Sequence, residues 1–199
     1  LVMARIIGEA DGFPKLHVLD TTSPVQITEL LATLDREHTY VLIASKSGST
    51  IEPLSLYAVF RGWMEESMAR PDAGKHFIVI TDPGTPLEKM RQKEFMRVAL
   101  SAPPTVGGRF SALTVFGLTP AAIIGVDLES LVDRARAMEQ ACQRPDGDNP
   151  GAQLAAWIAD AHADGRDKLT FVASTRLRPF GLWVEQLVAE STGKEGKGI

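Results

Sequence analysis

Tyr40-Val41-Leu42-Ile43-Ala44-Ser45-Lys46-Ser47-Gly48-Ser49-Thr50-Ile51-Glu52 carries the decisive pattern of this chain. An apolar, strand-like run ends in Ser45, Ser47, Ser49 and Thr50, with Lys46 and Gly48 among them. A helical pattern then starts at once, with Pro53 in its first turn. The first turn of a helix carries unpaired backbone N–H groups and the positive end of the helix dipole. Hydroxyl donors added there make a cradle for a phosphate group, which the charge of Lys46 can assist. The G-x-x-x-x-G-K-[ST] pattern of a nucleotide P-loop is missing, so a monophosphate such as a sugar phosphate fits better. The competing reading is that the hydroxyls only cap the helix, as one Ser or Thr commonly does. Four hydroxyls around one glycine after an apolar strand favour the anion site.

Outward from this stretch, β-like runs at 16–19, 40–44, 77–80, 97–100 and 169–173 alternate with helical stripes. Ser23-Pro24-Val25-Gln26 predicts a helix start by its capping-box spacing with Pro at N1. Ile27, Leu30, Leu31 and Leu34 then follow i, i+3, i+4, i+7, and Leu56, Val59, Phe60, Trp63 and Met64 repeat the stripe after the hydroxyl loop. This alternation predicts an α/β fold: a doubly wound parallel sheet with flanking helices, joined by right-handed crossovers. Ligands of such sheets lie beyond the carboxyl ends of the strands, where the hydroxyl loop falls.

After Leu100 come a polar, glycine-marked loop, a helix over about 128–143, and the linker-like Arg144-Pro145-Asp146-Gly147-Asp148-Asn149-Pro150-Gly151. A domain boundary is expected near residue 147. Residues 1–146 then form a first domain, and 147–199 open a second α/β domain through a helix, the 169–173 strand and another helix. Both ends read as cut, so a fragment of a longer protein is expected.

The 199 residues are 44% hydrophobic, enough for an ordinary core, and a net charge of −4 argues against a nucleic-acid surface. Cys142 is the single cysteine, which excludes an intrachain disulfide and fits a cytoplasmic location. No apolar run is long enough to predict a membrane span, and no signal-peptide pattern is present. His17, His38, His76 and His162 show no metal-type spacing. Trp63, Trp157 and Trp183 lie on helical stripes and read as core residues.

Two further clusters carry chemistry. Gly107-Gly108-Arg109-Phe110-Ser111 has the composition of a turn, yet it follows a strand as the hydroxyl loop does. Glycines let backbone approach a ligand, and a fixed guanidinium there can stabilise charge developing on oxygen. Phe180, Trp183, Val184, Leu187 and Val188 mark a helix over 179–190, terminated by Ser191-Thr192-Gly193. Glu190 falls at the edge of that apolar stripe, where partial desolvation favours a carboxylate acting as a base near neutral pH. Residues 191–198 look a little like a phosphate loop, but no strand precedes them and Glu195 follows Lys194.

Taken together the clusters resemble glucose-6-phosphate isomerase. Ser45-Lys46-Ser47-Gly48-Ser49-Thr50-Ile51-Glu52 is similar to that family's S-K-[ST]-x-[ST]-T-x-E sugar-phosphate loop. Val106-Gly107-Gly108-Arg109-Phe110-Ser111 matches its G-G-R-[FY]-S signature, and Glu190-Ser191-Thr192-Gly193-Lys194 is similar to the E-S-[NT]-G-K segment of the catalytic glutamate. The form of 190–199 looks closest to bacterial bifunctional transaldolase/glucose-6-phosphate isomerase chains. The resemblance runs from about Phe13 to Ile199 and implies two sugar-isomerase (SIS) domains, the first lacking its leading strand and the second only begun.

By that resemblance Ser45, Ser47 and Thr50, with the Lys46 backbone, hold the 6-phosphate of the substrate, and Gly108 also contacts it. Glu190 moves a proton between C1 and C2 of the open-chain sugar through a cis-enediol, and Arg109 stabilises the enediolate. It implies a role in glycolysis and gluconeogenesis, no metal or organic cofactor, a sugar monophosphate as partner, and a homo-oligomeric parent. The family's ring-opening histidine and a further active-site lysine fall downstream of Ile199, and an upstream Gly-Gly-Ser segment is absent. Weak sugar-phosphate binding with little turnover is expected of the fragment alone.

Two other readings compete. A non-catalytic SIS regulator that senses a sugar phosphate explains residues 45–50 equally well, but does not call for Gly108, Arg109 or Glu190. An amino-sugar isomerase or aminotransferase on the same fold is disfavoured by Gly107-Gly108-Arg109-Phe110-Ser111.

Overall fold

The computed structural model describes residues 2–196 and Gly198. Leu1, Lys197 and Ile199, which contribute to the reading of the chain's ends, lie outside the described residues. In chain order the elements are α1 (Val2–Ile7), α2 (Pro24–Leu31), β1 (Val41–Ala44), α3 (Ile51–Glu65), α4 (Arg70–Gly74), β2 (Phe77–Thr81), α5 (Pro86–Lys93), β3 (Val98–Ser101), a 3-10 helix (Gly108–Leu113), α6 (Val115–Ile123), α7 (Leu128–Cys142), α8 (Pro150–Ala163) and α9 (Phe180–Thr192). They pack as two units, one of His17–Thr119 and the other of the residues up to Leu16 with those from Pro120 onward.

The unit of His17–Thr119 is built on the sheet. Its strands lie in the order β1-β2-β3, all parallel, with Val41 opposite Phe77 and Ile78 opposite Val98. β2 is central and nearly all apolar, as a strand buried on both faces must be. Phe77 and Val79 face a core made with Ile43, Phe60 and Met64 of α3, Ala73 of α4, Leu87 of α5 and Met96. Ile80 points to the opposite face by the period-two alternation and is also fully buried. Emptying the space of Phe77 by truncation to Ala costs about 3–5 kcal/mol on general grounds. The mixed α/β architecture with a parallel sheet and flanking helices is thus as expected.

A polar network locks α3 to its neighbours. Buried Arg61 donates to Glu65 Oε1 at 2.6 Å, to the carbonyl of Arg70 at 2.6 Å and to that of Glu94 at 3.2 Å. Tyr57, stacked edge-on against Phe77, donates to Glu94 Oε2 at 3.3 Å. Burial, with the Glu94 charge second, pushes its phenol up to about 12.

Three local expectations are corrected. Residues 16–19 form no strand: the Leu16 N–H donates to Glu9 Oε1 at 3.2 Å, and Leu19 instead packs onto the core. Residues 169–173 form none either; Val172 is 98% exposed, and β-type composition makes no ladder without a neighbouring strand. Ser23 precedes α2 with Pro24 at N1, but its side chain makes no capping bond.

In the other unit α7 packs with α8, on either side of the boundary expected near 147, and α1 packs with α9. Asp127 and Asn149 start α7 and α8 by accepting from the N–H groups of Ser130 and Ala152. Gly125 has φ +79°, and a Cβ there would sit 2.6 Å from the ring of Phe13, so this turn requires glycine. Trp157, expected in a core, is 63% exposed on α8, whereas Trp63 packs against the core of the sheet unit.

Candidate functional site

The hydroxyl loop leaves the carboxyl end of β1. Ser45 is 5% exposed, and its N–H donates to the Ile80 carbonyl at 3.0 Å, extending the ladder one residue past the strand. Its own carbonyl accepts from Gly48 N–H at 3.3 Å, closing a turn. Gly48 has φ +64°, and a Cβ there would meet Thr85 Cβ at 2.7 Å and Leu87 Cβ at 3.0 Å. Both the backbone angle and the space therefore demand glycine. The loop is docked in this way onto the start of α5.

The hydroxyls do not cap α3. Thr50 has the extended backbone of an N-cap, yet its side chain bonds no N–H of the helix. The sequence removes one of the two usual donors: a capping hydroxyl bonds N2 or N3, and N3 here is Pro53, which has no N–H. Thr50 Oγ1 lies instead 2.9 Å from Ser45 Oγ and 3.4 Å from Ser47 Oγ. Ser47 Oγ in turn accepts from the N–H and the hydroxyl of Ser49, at 3.3 and 3.1 Å. All four hydroxyls are linked beside the positive end of a helix of 15 residues, with Ser47, Ser49 and Thr50 exposed. Such a set can re-aim its protons at an arriving anion.

Lys46 is placed differently from its expected role. Its ammonium donates to Asp82 Oδ2 and Oδ1 at 2.6 and 2.8 Å, and reaches the carbonyls of Pro103 and Pro104 at 3.4 and 3.5 Å. The charge expected to assist an anion is thus neutralised by Asp82. The Lys46 carbonyl accepts from Asp82 N–H at 3.2 Å and from the Thr81 hydroxyl at 3.4 Å. A hollow of about 390 Å³ borders the same turn of α3, lined by Leu19, Asp20, Thr21, Thr22, Glu52, Pro53 and Leu56.

Arg109 belongs to the same unit and is half-buried as the second residue of the 3-10 helix. The polar loop expected through Ser111 therefore ends at Gly107. Ser111 Oγ donates to the Gly108 carbonyl at 2.7 Å, and Phe110 N–H to the Gly107 carbonyl at 3.0 Å, which hold the tight turn. Gly107 has φ −62°, and a Cβ on Gly108 would meet nothing within 4 Å. In contrast to Gly48, this part of the chain does not itself require glycine at 108.

Glu190 lies in the other unit, in the last turn of α9. Its side chain is exposed rather than half-shielded, and Oε1 accepts from Gln186 Nε2 at 3.1 Å. The helix continues to Thr192. Gly193 ends it at φ −75°, and glycine is needed there for space, since a Cβ would sit 2.6 Å from the Ala189 carbonyl oxygen. Among the described residues no group of three or more His, Cys, Asp or Glu side chains could hold a metal, and no helix is long and apolar enough to cross a membrane.

Sequence reasoning missed Asp82, Thr85 and the carbonyls of Pro103 and Pro104. The available signal was topological: all follow β2 or β3, at the same end of the sheet as the hydroxyl loop.

The profile of the family described as phosphoglucose isomerase matches residues 2–197. The chain belongs to the phosphoglucose isomerase family. It is 34% identical to the glucose-6-phosphate isomerase of Rubrobacter xylanophilus over 190 residues, covering 94% of this chain and 44% of that protein. It is 35% identical to a probable glucose-6-phosphate isomerase of Methanococcus maripaludis over 187 residues, covering 93% of this chain and 42% of the relative. Among solved structures it superposes on a Thermus thermophilus protein described as hypothetical, with TM-score 0.81 and 35% identity, over 92% of this chain and 44% of the other. A glucose-6-phosphate isomerase from Chlamydia trachomatis matches with TM-score 0.73 and 26% identity, over 90% of this chain and 35% of that one. This member of the phosphoglucose isomerase family thus spans less than half the length of these relatives.

Proposed function

We propose that the polypeptide carrying this chain interconverts glucose 6-phosphate and fructose 6-phosphate, in glycolysis and gluconeogenesis, and that residues 45–50 hold the substrate's phosphate. The observation that carries the reading is the linked set of Ser45, Ser47, Ser49 and Thr50, turned onto one another at a helix start whose N3 is proline. The family of the chain supplies the substrate class.

In this reading the hydroxyls of Ser45, Ser47 and Thr50 and the Lys46 N–H bind the 6-phosphate, and Gly108 lets substrate approach the backbone. The Glu190 carboxylate removes the C2 proton of the open-chain aldose. The electron pair moves onto O1 to give a cis-enediolate. The hydroxyl proton of O2 then passes to O1, and the carbon proton returns from Glu190 to C1 as the C2 ketone forms. Arg109 stabilises the negative oxygen. A positioned base contributes about 10²–10⁴-fold, and charge stabilisation of an oxyanion about 3 kcal/mol. No cofactor is needed for this proton transfer. A two-SIS-domain parent divided near residue 147, homo-oligomeric and cytoplasmic, belongs to the same proposal.

The test is a coupled fructose 6-phosphate assay on the full-length polypeptide beside its Arg109→Ala and Glu190→Gln variants. Turnover that falls at least about 10²-fold in Glu190→Gln, with KM little changed, is the expected result. No wild-type turnover, with fructose 6-phosphate still raising Tm, would instead favour a sugar-phosphate regulator.

A further inference from the structure

The Lys46 ammonium has its coordination filled without a ligand. An ammonium has three N–H donors, and four oxygens lie within reach: both of Asp82 and the carbonyls of Pro103 and Pro104. The pair is shielded, with side-chain exposures of 27% for Lys46 and 18% for Asp82. Its three anchor points follow three different strands: Lys46 follows β1, Asp82 follows β2, and Pro103 follows β3. The Pro103 carbonyl also accepts from Val106 N–H at 3.2 Å, the residue before Gly107-Gly108-Arg109. One charge thus connects the hydroxyl loop with the segment that leads to Arg109.

We infer that the Lys46 side chain is a positioning group, not a phosphate ligand: it sets residues 103–107, and through them Arg109, relative to the hydroxyl loop. The roles given to that loop and to Arg109 rest on the isomerase reading; the mechanical link does not. A charged phosphate ligand would add affinity for the anion in ground state and transition state alike. A positioning group changes how well the reacting end of the substrate meets Arg109 once the phosphate is anchored, which shows in kcat.

The test compares Lys46→Met, Lys46→Arg, Asp82→Asn and the double variant Lys46→Met/Asp82→Asn in the full-length polypeptide. Turnover of fructose 6-phosphate, competitive inhibition by inorganic phosphate and amide hydrogen exchange are measured on each. In Lys46→Met, kcat is expected to fall about tenfold or more, while KM and the inhibition constant for phosphate stay within about twofold. Asp82→Asn should match it, the double variant should be no worse than either single one, and Lys46→Arg should recover part of the loss. Exchange at Val106 N–H should accelerate in Lys46→Met, while Gly48 N–H, bonded to Ser45, keeps its protection.

A several-fold rise in KM and in the phosphate inhibition constant, with kcat kept, would make the ammonium a phosphate ligand and overturn the inference. So would unchanged exchange at Val106, whatever the activity does. If the wild type turns over no fructose 6-phosphate, the isomerase reading fails by itself, and the exchange arm still decides the link. Should Lys46→Met not fold, Asp82→Asn reads the same bond from its other end.

Discussion

Thr50 Oγ1 lies 2.9 Å from Ser45 Oγ, across the turn the two residues bracket, and bonds no N–H of the helix that Thr50 begins. A loop built for capping would show the reverse. Thr50→Ala is therefore expected to weaken binding of inorganic phosphate about tenfold, the worth of a hydrogen bond to a charged group. It should cost less stability than Asp127→Ala, which removes a genuine cap worth about 1 kcal/mol. Calorimetric titration with phosphate and urea unfolding check both halves. Undiminished phosphate affinity would count against the cradle.

Gly48 and Gly108 make opposite demands. Gly48→Ala puts a Cβ at positive φ and 2.7 Å from Thr85, so a loss of roughly 2–4 kcal/mol is expected in urea unfolding. Gly108→Ala meets nothing within 4 Å and should leave stability within about 0.5 kcal/mol, while turnover of the full-length polypeptide drops. Full activity in Gly108→Ala would show that no ligand needs the space.

Tyr57 makes stability sensitive to alkali. Its phenol is raised from 10.0 to about 12 in the fold, chiefly by burial. The neutral form is thus favoured in the folded state, and that contribution is complete below pH 10 and lost between pH 10 and about 12. Urea midpoints across that window should fall more steeply for the wild type than for Tyr57→Phe. Parallel curves would mean that the phenol is as hydrated as in the unfolded chain.

His38 and Asp35 report on each other. The hydrogen bond at 3.0 Å raises the imidazole and lowers the carboxyl. The pair is strongest with both groups charged, between the carboxyl's lowered titration and the imidazole's raised one. It weakens as pH rises through the His38 midpoint or falls through that of Asp35. In an NMR titration Asp35→Asn should move the His38 midpoint down; an unmoved midpoint would show that the surface contact is not kept in solution.

Where the sequence carried a strong period or a decisive composition, the structure agrees with it. β1, β2 and β3 are apolar runs with helical stripes between them, and each forms within a residue or two of its expected place. The hydroxyl set was legible because four Ser and Thr crowded around one Gly at a strand end exceed what a single helix cap uses. Residues 16–19 and 169–173 were misread because β-type composition says nothing about the presence of a neighbouring strand. The true setting of Lys46 was hidden for a similar reason. Its partners Asp82, Pro103 and Pro104 lie 36 to 58 positions away, and only the parallel pairing brings them together. The exposure of Glu190 was also beyond a helical stripe, which gives an angle around the axis but not what covers it.

The pairing of Ser45 N–H with the Ile80 carbonyl also has a kinetic side. Parallel strands must close a long loop before they gain anything, and such non-local contacts form slowly. The hydroxyl loop takes shape only when β1 has found β2, because its first residue belongs to their ladder. On the proposed reading, the anion cradle is therefore incomplete until those two strands have paired. Phosphate held there, as proposed, would act on the finished molecule, slowing its opening rather than hastening its formation.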